Sequence, residues 1–158
     1  LTPGRGDATQ AQTDETSFAV LEPIADGFRN YVSPQCSIRE EDVLLDRALL
    51  LGLSASEMTV LLGGLRSLGV GLDHAHGFVA VTGELSNKFL VKLLDMQYQW
   101  RSLDDHQYEA IDRDTDESCG RVSRVDMIVG SHSQLRAIAE VYASEDANLH
   151  FKQDFIAL

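Results

Sequence analysis

Cysteine, proline and tryptophan are all scarce in this chain: two, three and one among 158 residues. The two thiols, Cys36 and Cys119, lie far apart in polar contexts, Pro34-Gln35-Cys36 and Ser118-Cys119-Gly120. Such a pair makes no disulfide framework, and free thiols are the expected state, with a single bridge as the alternative. Basic residues are also few, 13 Lys and Arg against 25 Asp and Glu, for a net charge of −12. Nucleic acids and anionic membranes are bound through clustered cations that release counterions, so neither is expected as a partner. No apolar run reaches the ~20 residues a membrane-spanning helix needs, and no basic-then-apolar leader opens the chain. What the sequence does have is 44% apolar residues, enough for the core of one domain.

Periodicity divides the chain in two. Residues 1–34 are rich in Thr, Gln, Asp and Gly and read as an extended arm, with apolar beads at Phe18, Val20, Leu21, Ile24, Phe28 and Tyr31. From Asp42 the spacing turns helical: Val43, Leu44, Ala48 and Leu51 share a face, and Gly52 is a natural stop. Ser54 with Glu57 predicts a capping box for a second helix, whose stripe is Met58, Leu61, Leu62, Leu65 and Leu68 and whose end is Gly69. After the loop 70–83, Ser86 is expected to cap a helix that turns Phe89, Leu90, Leu93 and Leu94 inward. Tyr98 to Arg101, Tyr108 to Asp112 and Arg121 to Ser123 alternate as short strands of an antiparallel flap outside the core. Ser123 with Asp126, and Ser131 with Gln134, predict two more capped helices, the latter carrying Leu135, Ile138, Ala139 and Tyr142. Ser144 is expected to open the last helix, with Leu149, Phe151, Phe155 and Ile156. The class is mostly α, all-alpha apart from the small antiparallel β flap.

Candidate chemistry is thin. His74 and His76 beside Asp73 offer two imidazoles, a weak metal motif better read as solvated loop histidines, and no metal site is expected. His106, His132 and His150 have no partner at ligand spacing and read as surface residues. Asp104-Asp105 and Glu40-Glu41 read as solvated charge, since general acid–base pairs need burial to separate their pKa values. No Ser or Cys sits in a strand–turn–helix elbow with a base beside it. The aromatic residues Phe28, Tyr31, Tyr98, Trp100 and Tyr108 are either core or anchors for a partner, with core packing preferred.

The string Glu57 to Gly69, with Gly63-Gly64-Leu65-Arg66 at its centre, resembles the proximal helix of haem peroxidases, which there begins Gly-Gly-His-Thr. Further strings extend the likeness: Thr2-Pro3-Gly4-Arg5, Phe18-Ala19-Val20-Leu21-Glu22-Pro23, Ala25-Asp26-Gly27-Phe28-Arg29-Asn30-Tyr31, Leu85-Ser86-Asn87, Leu93-Leu94-Asp95-Met96 and Ala139-Glu140-Val141-Tyr142-Ala143-Ser144. Together they resemble the carboxy-terminal half of catalase-peroxidases. That family joins two peroxidase-like domains: the first holds haem b and reacts with hydrogen peroxide, and the second has none and supports the first.

The resemblance implies a partial haem-peroxidase-like helical fold. Residues 1–34 would be an arm, and 35–158 the second half of the haem-free carboxy-terminal domain. The chain, opening on Leu1 without an initiator Met, is expected to be a fragment. Implied partners are the amino-terminal haem domain of the same protein and the twin subunit of a homodimer. The implied location is the cytoplasm. The family's proximal histidine, tryptophan and aspartate fall on Leu65, Phe78 and Asp126, so no catalytic residue, cofactor or metal is expected in this chain, which alone should be inactive. Leucine has no lone pair for iron. Leu65 is expected to pack inward against Leu90, Leu94 and Leu135, and Asp126 to be satisfied by first-turn amides or by Arg66 or Arg124. Two other readings stay open: a free-standing acidic helical interaction module from a truncated gene, and a peroxidase with another histidine as axial ligand.

Overall fold

A computed structural model describes residues 38–70, 78 and 83–158. The arm 1–34, Cys36 and the His74–His76 pair lie outside the described residues. Within them the order is α1 (Glu40–Leu51), α2 (Ala55–Ser67), α3 (Lys88–Leu94), β1 (Tyr98–Ser102), β2 (Gln107–Asp112), β3 (Ser118–Ser123), α4 (Arg124–Ser131), α5 (Ser133–Tyr142) and α6 (Asn148–Ala157). The class is mostly α with a small antiparallel sheet, and is therefore not all-α.

Helix ends follow local chemistry. Gly52 stops α1 in the left-handed region at φ 70°, where glycine meets no Cβ penalty. Ser54 and Glu57 form the predicted capping box of α2: the Ser54 amide donates to Glu57 Oε2 at 2.8 Å, and the Glu57 amide to Ser54 Oγ at 3.3 Å. Beyond α2, the amides of Gly69 and Val70 return to the carbonyls of Arg66 and Leu65, and Gly69 has φ 82°.

Three boundaries differ from expectation. Ser86 does not cap α3: its amide donates at 3.2 Å to the hydroxyl of Ser67, which lies inside the fold, and Asn87 precedes the helix instead. Ser131 closes α4 rather than opening α5, which starts at Ser133 without a side-chain cap. Ser144 belongs to a turn, its hydroxyl bonded to the Val141 carbonyl, and α6 begins at Asn148. At Ser144 the hydroxyl found a nearer backbone partner, the competition that makes isolated serines poor boundary markers.

The core joins α2, α3, α4, α5, α6 and the sheet through Val60, Leu90, Val129, Ala139, Phe151 and Val122, all buried. The strands lie in the order β1-β2-β3, Trp100 facing Ala110 and Tyr108 facing Val122. They are no mere flap. Ala110 and Val122 are fully buried in the same core, so one face of the sheet is a wall of it.

Helix α2 corrects the expected stripe. Its buried residues are Met58, Thr59, Val60, Gly63, Gly64 and Ser67, while Leu61, Leu62, Leu65 and Leu68 are half-buried. Small residues face the core because neighbours come close: a Cβ built on Gly63 would lie 3.0 Å from Leu90, and one on Gly64 2.1 Å from the Phe155 ring. Hydrophobicity alone would have placed the leucines there. Close approach of the Leu90 and Phe155 side chains places glycine instead.

On α6, Phe151 is buried and Phe155 half-buried, whereas Leu149 and Ile156 point to solvent.

Candidate functional site

The most deeply buried ionic cluster is built where α2 ends and α4 begins. Ser123 leaves β3 in extended geometry and caps α4, and Asp126 stands at the third position of that helix. One carboxylate oxygen, Oδ2, accepts from the Ser123 amide and hydroxyl, each at 2.8 Å. The other, Oδ1, accepts from Arg66 Nε at 2.9 Å, while Arg66 also donates to Ser123 Oγ at 3.4 Å and the Val70 carbonyl at 3.0 Å. Asp126 is 0% exposed. A buried carboxylate needs such compensation, since an unpaired one costs several kcal/mol. Of the expected partners Arg66 is present, whereas the amide is that of the capping residue Ser123 and not one from the helix's first turn.

Leu65 departs from the expected packing. It does not join Leu90, Leu94 and Leu135; it is half-buried and lines a hollow of about 180 Å³ with Leu44, Leu51, Leu61 and Val125. The inward positions on either side of it are taken by Gly64 and Ser67. Phe78 is buried at 4% exposure, its ring 5.3 Å from Trp100, 5.8 Å from Tyr98 and 6.2 Å from Phe89. The Lys92 ammonium donates to the Phe78 carbonyl and lies 4.7 Å from its ring centroid, a cation–π geometry. Tyr98, Trp100 and Tyr108 thus pack against the core; Phe28 and Tyr31 lie outside the described residues.

A haem held through position 65 does not fit these residues. Leu65 offers no lone pair, and both oxygens of Asp126 are engaged, so no carboxylate is free to orient an imidazole. Among the described residues no three His, Cys, Asp or Glu side chains converge as a metal site, and no buried side-chain polar atom lacks a partner.

Two further clusters escaped the sequence reading. Glu40 and Glu41 are not a solvated pair: Glu40 is buried at 4% and meets His106 Nδ1 at 2.6 Å, and Glu41 makes a two-pronged bond to Arg124, each prong 2.9 Å. Burial pushes the Glu40 carboxyl up, and His106 partly offsets this. Arg124 holds the Glu41 carboxyl down at about 2. Asp104 and Asp105 are exposed as expected. His150, also read as a lone surface residue, pairs with Asp154 at 3.0 Å, and Asp154 accepts the Tyr142 hydroxyl at 2.6 Å. Burial first and then this bond raise the Tyr142 phenol to about 12. Nothing in the sequence linked residues 66 positions apart. Cys119 is a free thiol.

No family model matches the chain. Individual proteins do. A catalase-peroxidase of Shewanella baltica strain OS195 is 56% identical over 161 residues, covering 99% of this chain and 22% of that protein. One from Chelativorans sp. strain BNC1 is 54% identical over 159 residues, and one from Geobacillus stearothermophilus 55% over 156, covering 22% and 21% of those proteins. The chain therefore spans about a fifth of the length of the curated relatives it matches. With more than half of its residues identical along nearly its whole length, the chain belongs to the catalase-peroxidases.

Proposed function

We propose that the chain is the later part of the haem-free carboxy-terminal domain of a catalase-peroxidase, and that its work is structural. The parent protein would break down hydrogen peroxide and oxidise donor molecules at a haem b in its amino-terminal domain, in the cytoplasm, as a defence against oxidative stress. This segment would help hold that domain and the homodimer in working geometry while supplying no catalytic group. The observation that carries the reading is the pairing of Arg66 with Asp126 beside Leu65: at the positions the resemblance assigns to a ligand histidine and its aspartate stand a hydrocarbon and a carboxylate already committed to arginine.

Haemin titration tests it. The purified chain, and its Leu65→His variant, should give no stoichiometric Soret shift and no peroxide turnover above free haemin. The intact gene product should bind haem and turn over peroxide. A one-to-one five-coordinate haem complex with peroxidase activity in the chain alone would overturn the structural role. An intact gene product without a haem domain would overturn the parentage and favour a free-standing helical module.

A further inference from the structure

Helix α1 is fastened at its start by two ionic bonds of different chemistry. Beyond the first turn only Val43 and Ala48 are buried, and along its length the helix packs chiefly on α4. It lies between the hollow of about 180 Å³ lined by Leu65 and one of about 600 Å³ shared with α5 and the start of α2, lined by Leu45, Leu49, Met58, Ile128 and Leu135. The first turn therefore decides how firmly the helix is held. There Glu41 takes the Arg124 guanidinium in two bonds of 2.9 Å, and Glu40, 4% exposed, meets His106 Nδ1 at 2.6 Å. Arginine keeps its charge throughout, whereas histidine gives its charge up near neutrality. Two glutamates adjacent in sequence thus have partners that answer protons differently.

His106 is placed for this response. It ends the β1–β2 connection, its amide donates to Asp104 Oδ1 at 2.7 Å, and its carbonyl accepts the Arg124 amide at 2.7 Å. The backbone is tied to the turn and to α4 whatever the ring does, and the side chain is 58% exposed, so protons reach it from solvent. The charged and titratable groups about the contact are Asp104 from the turn, Arg124 from α4, Tyr108 from β2 acting on Arg124, and Glu41, Arg39 and Asp42 from the α1 end. Among the described residues the Glu40 carboxylate has no other side-chain partner.

We propose that Glu40 and His106 form a proton-operated latch on α1: the first turn of the helix is held fast while the imidazole carries both of its protons, and is held more loosely once one has left. An N–H bond between two charged groups is about twice as strong as a neutral one. With the imidazole neutral, the buried carboxylate keeps no bonded counter-charge. Burial pushes the Glu40 carboxyl up, and His106 offsets this only in part. A carboxyl so raised favours the folded arrangement more as the pH falls, which is also the direction in which the imidazole regains its charge. Glu41 works the other way: its carboxyl, held down at about 2 against an ordinary 4.5, keeps its contribution above 4.5 and loses it only toward 2. The helix is gripped most firmly on the mildly acidic side of neutrality and slackens as the pH rises.

The test is hydrogen–deuterium exchange of the intact gene product at pH values from about 5 to 8, the range in which histidine titrates, with each rate divided by the intrinsic rate at that pH. Protection of the amides of α1 should fall about two- to fivefold across this range, the scale of a partly exposed ion pair, while that of α2 stays level. His106→Gln supplies a hydrogen-bond donor that does not titrate, so it should abolish the fall. Glu40→Gln removes the charge from the other side of the latch and should abolish it too, which keeps the test decisive if His106→Gln does not fold. Glu41→Gln should lower the protection of α1 at every pH in the range and leave the fall in place. Protection of α1 that stays level or rises with pH in the wild type would overturn the proposal. So would a fall that survives either His106→Gln or Glu40→Gln, since it would belong to another group.

Discussion

Helix α1 and helix α2 sit side by side in the chain, both rich in leucine, yet they solve opposite problems. In α2 the leucines stand aside, and glycine, serine and threonine face a closed core. In α1 Leu45, Leu49, Leu50 and Leu51 stay outside, and beyond the charged fastening of Glu40 and Glu41 only Val43 and Ala48 are buried. Residue type therefore does not decide which side of a helix is buried. The presence of a neighbour does. Helix α2 has neighbours close enough to forbid a side chain, whereas α1 has hollows on two sides.

The contrast can be broken first at Asp126. Asp126→Ala should cost about 3–5 kcal/mol, because Arg66 would be left buried without its counter-charge; chemical denaturation of the chain measures this, and a loss below about 1 kcal/mol would mean that water reaches the site. Replacing both partners together, Arg66→Met with Asp126→Leu, should cost far less than the single change. Gly64→Ala comes next, at about 1–3 kcal/mol, since the new methyl collides with the Phe155 ring. Phe155→Leu in the same chain should recover part of the loss, and full tolerance of Gly64→Ala would show that α6 sits farther away.

Smaller effects belong to α1. Glu41 has its carboxyl held down at about 2 against an ordinary value near 4.5. A depressed carboxyl contributes stability that is present above about 4.5 and disappears as the pH falls toward 2. The Arg124 side chain is 36% exposed, so screening limits the pair to the surface range of about 0–1 kcal/mol. Acid titration of stability should therefore show a slight extra loss in wild type that Glu41→Gln lacks. Least of all, Leu49→Ser should move the stability of the isolated chain by less than about 0.5 kcal/mol, as for other exposed sites.

Much of this architecture was legible beforehand. Local signals did best: the capping boxes of Ser54 with Glu57 and Ser123 with Asp126, the stops at Gly52 and Gly69, and the three strand segments all stand where their residues point. These features are settled within a few residues of chain. The buried side of α2 was not legible, because it depends on Leu90 and Phe155, which come from elsewhere in the sequence. Ser144 misled because a hydroxyl marks a helix start only when no closer acceptor competes, and Ser86 because its amide is held by Ser67 from a distant helix. At the candidate site, Arg66 and Asp126 could be named as partners from charge and family frame. The clasp of Glu40 on His106 could not, since no short-range pattern announces a contact between a helix start and a strand-connecting turn.

The small ring of Ser123, Asp126 and Arg66 also bears on time. Its bonds tie the last residue of the sheet, the first turn of α4 and the last turn of α2 through residues 60 apart. No single one of these elements can fray while the carboxylate keeps its partners. Deuterium uptake at the Ser123 and Asp126 amides should accordingly be among the slowest in the chain and follow its global opening, while the free end of α1 exchanges through local fluctuations.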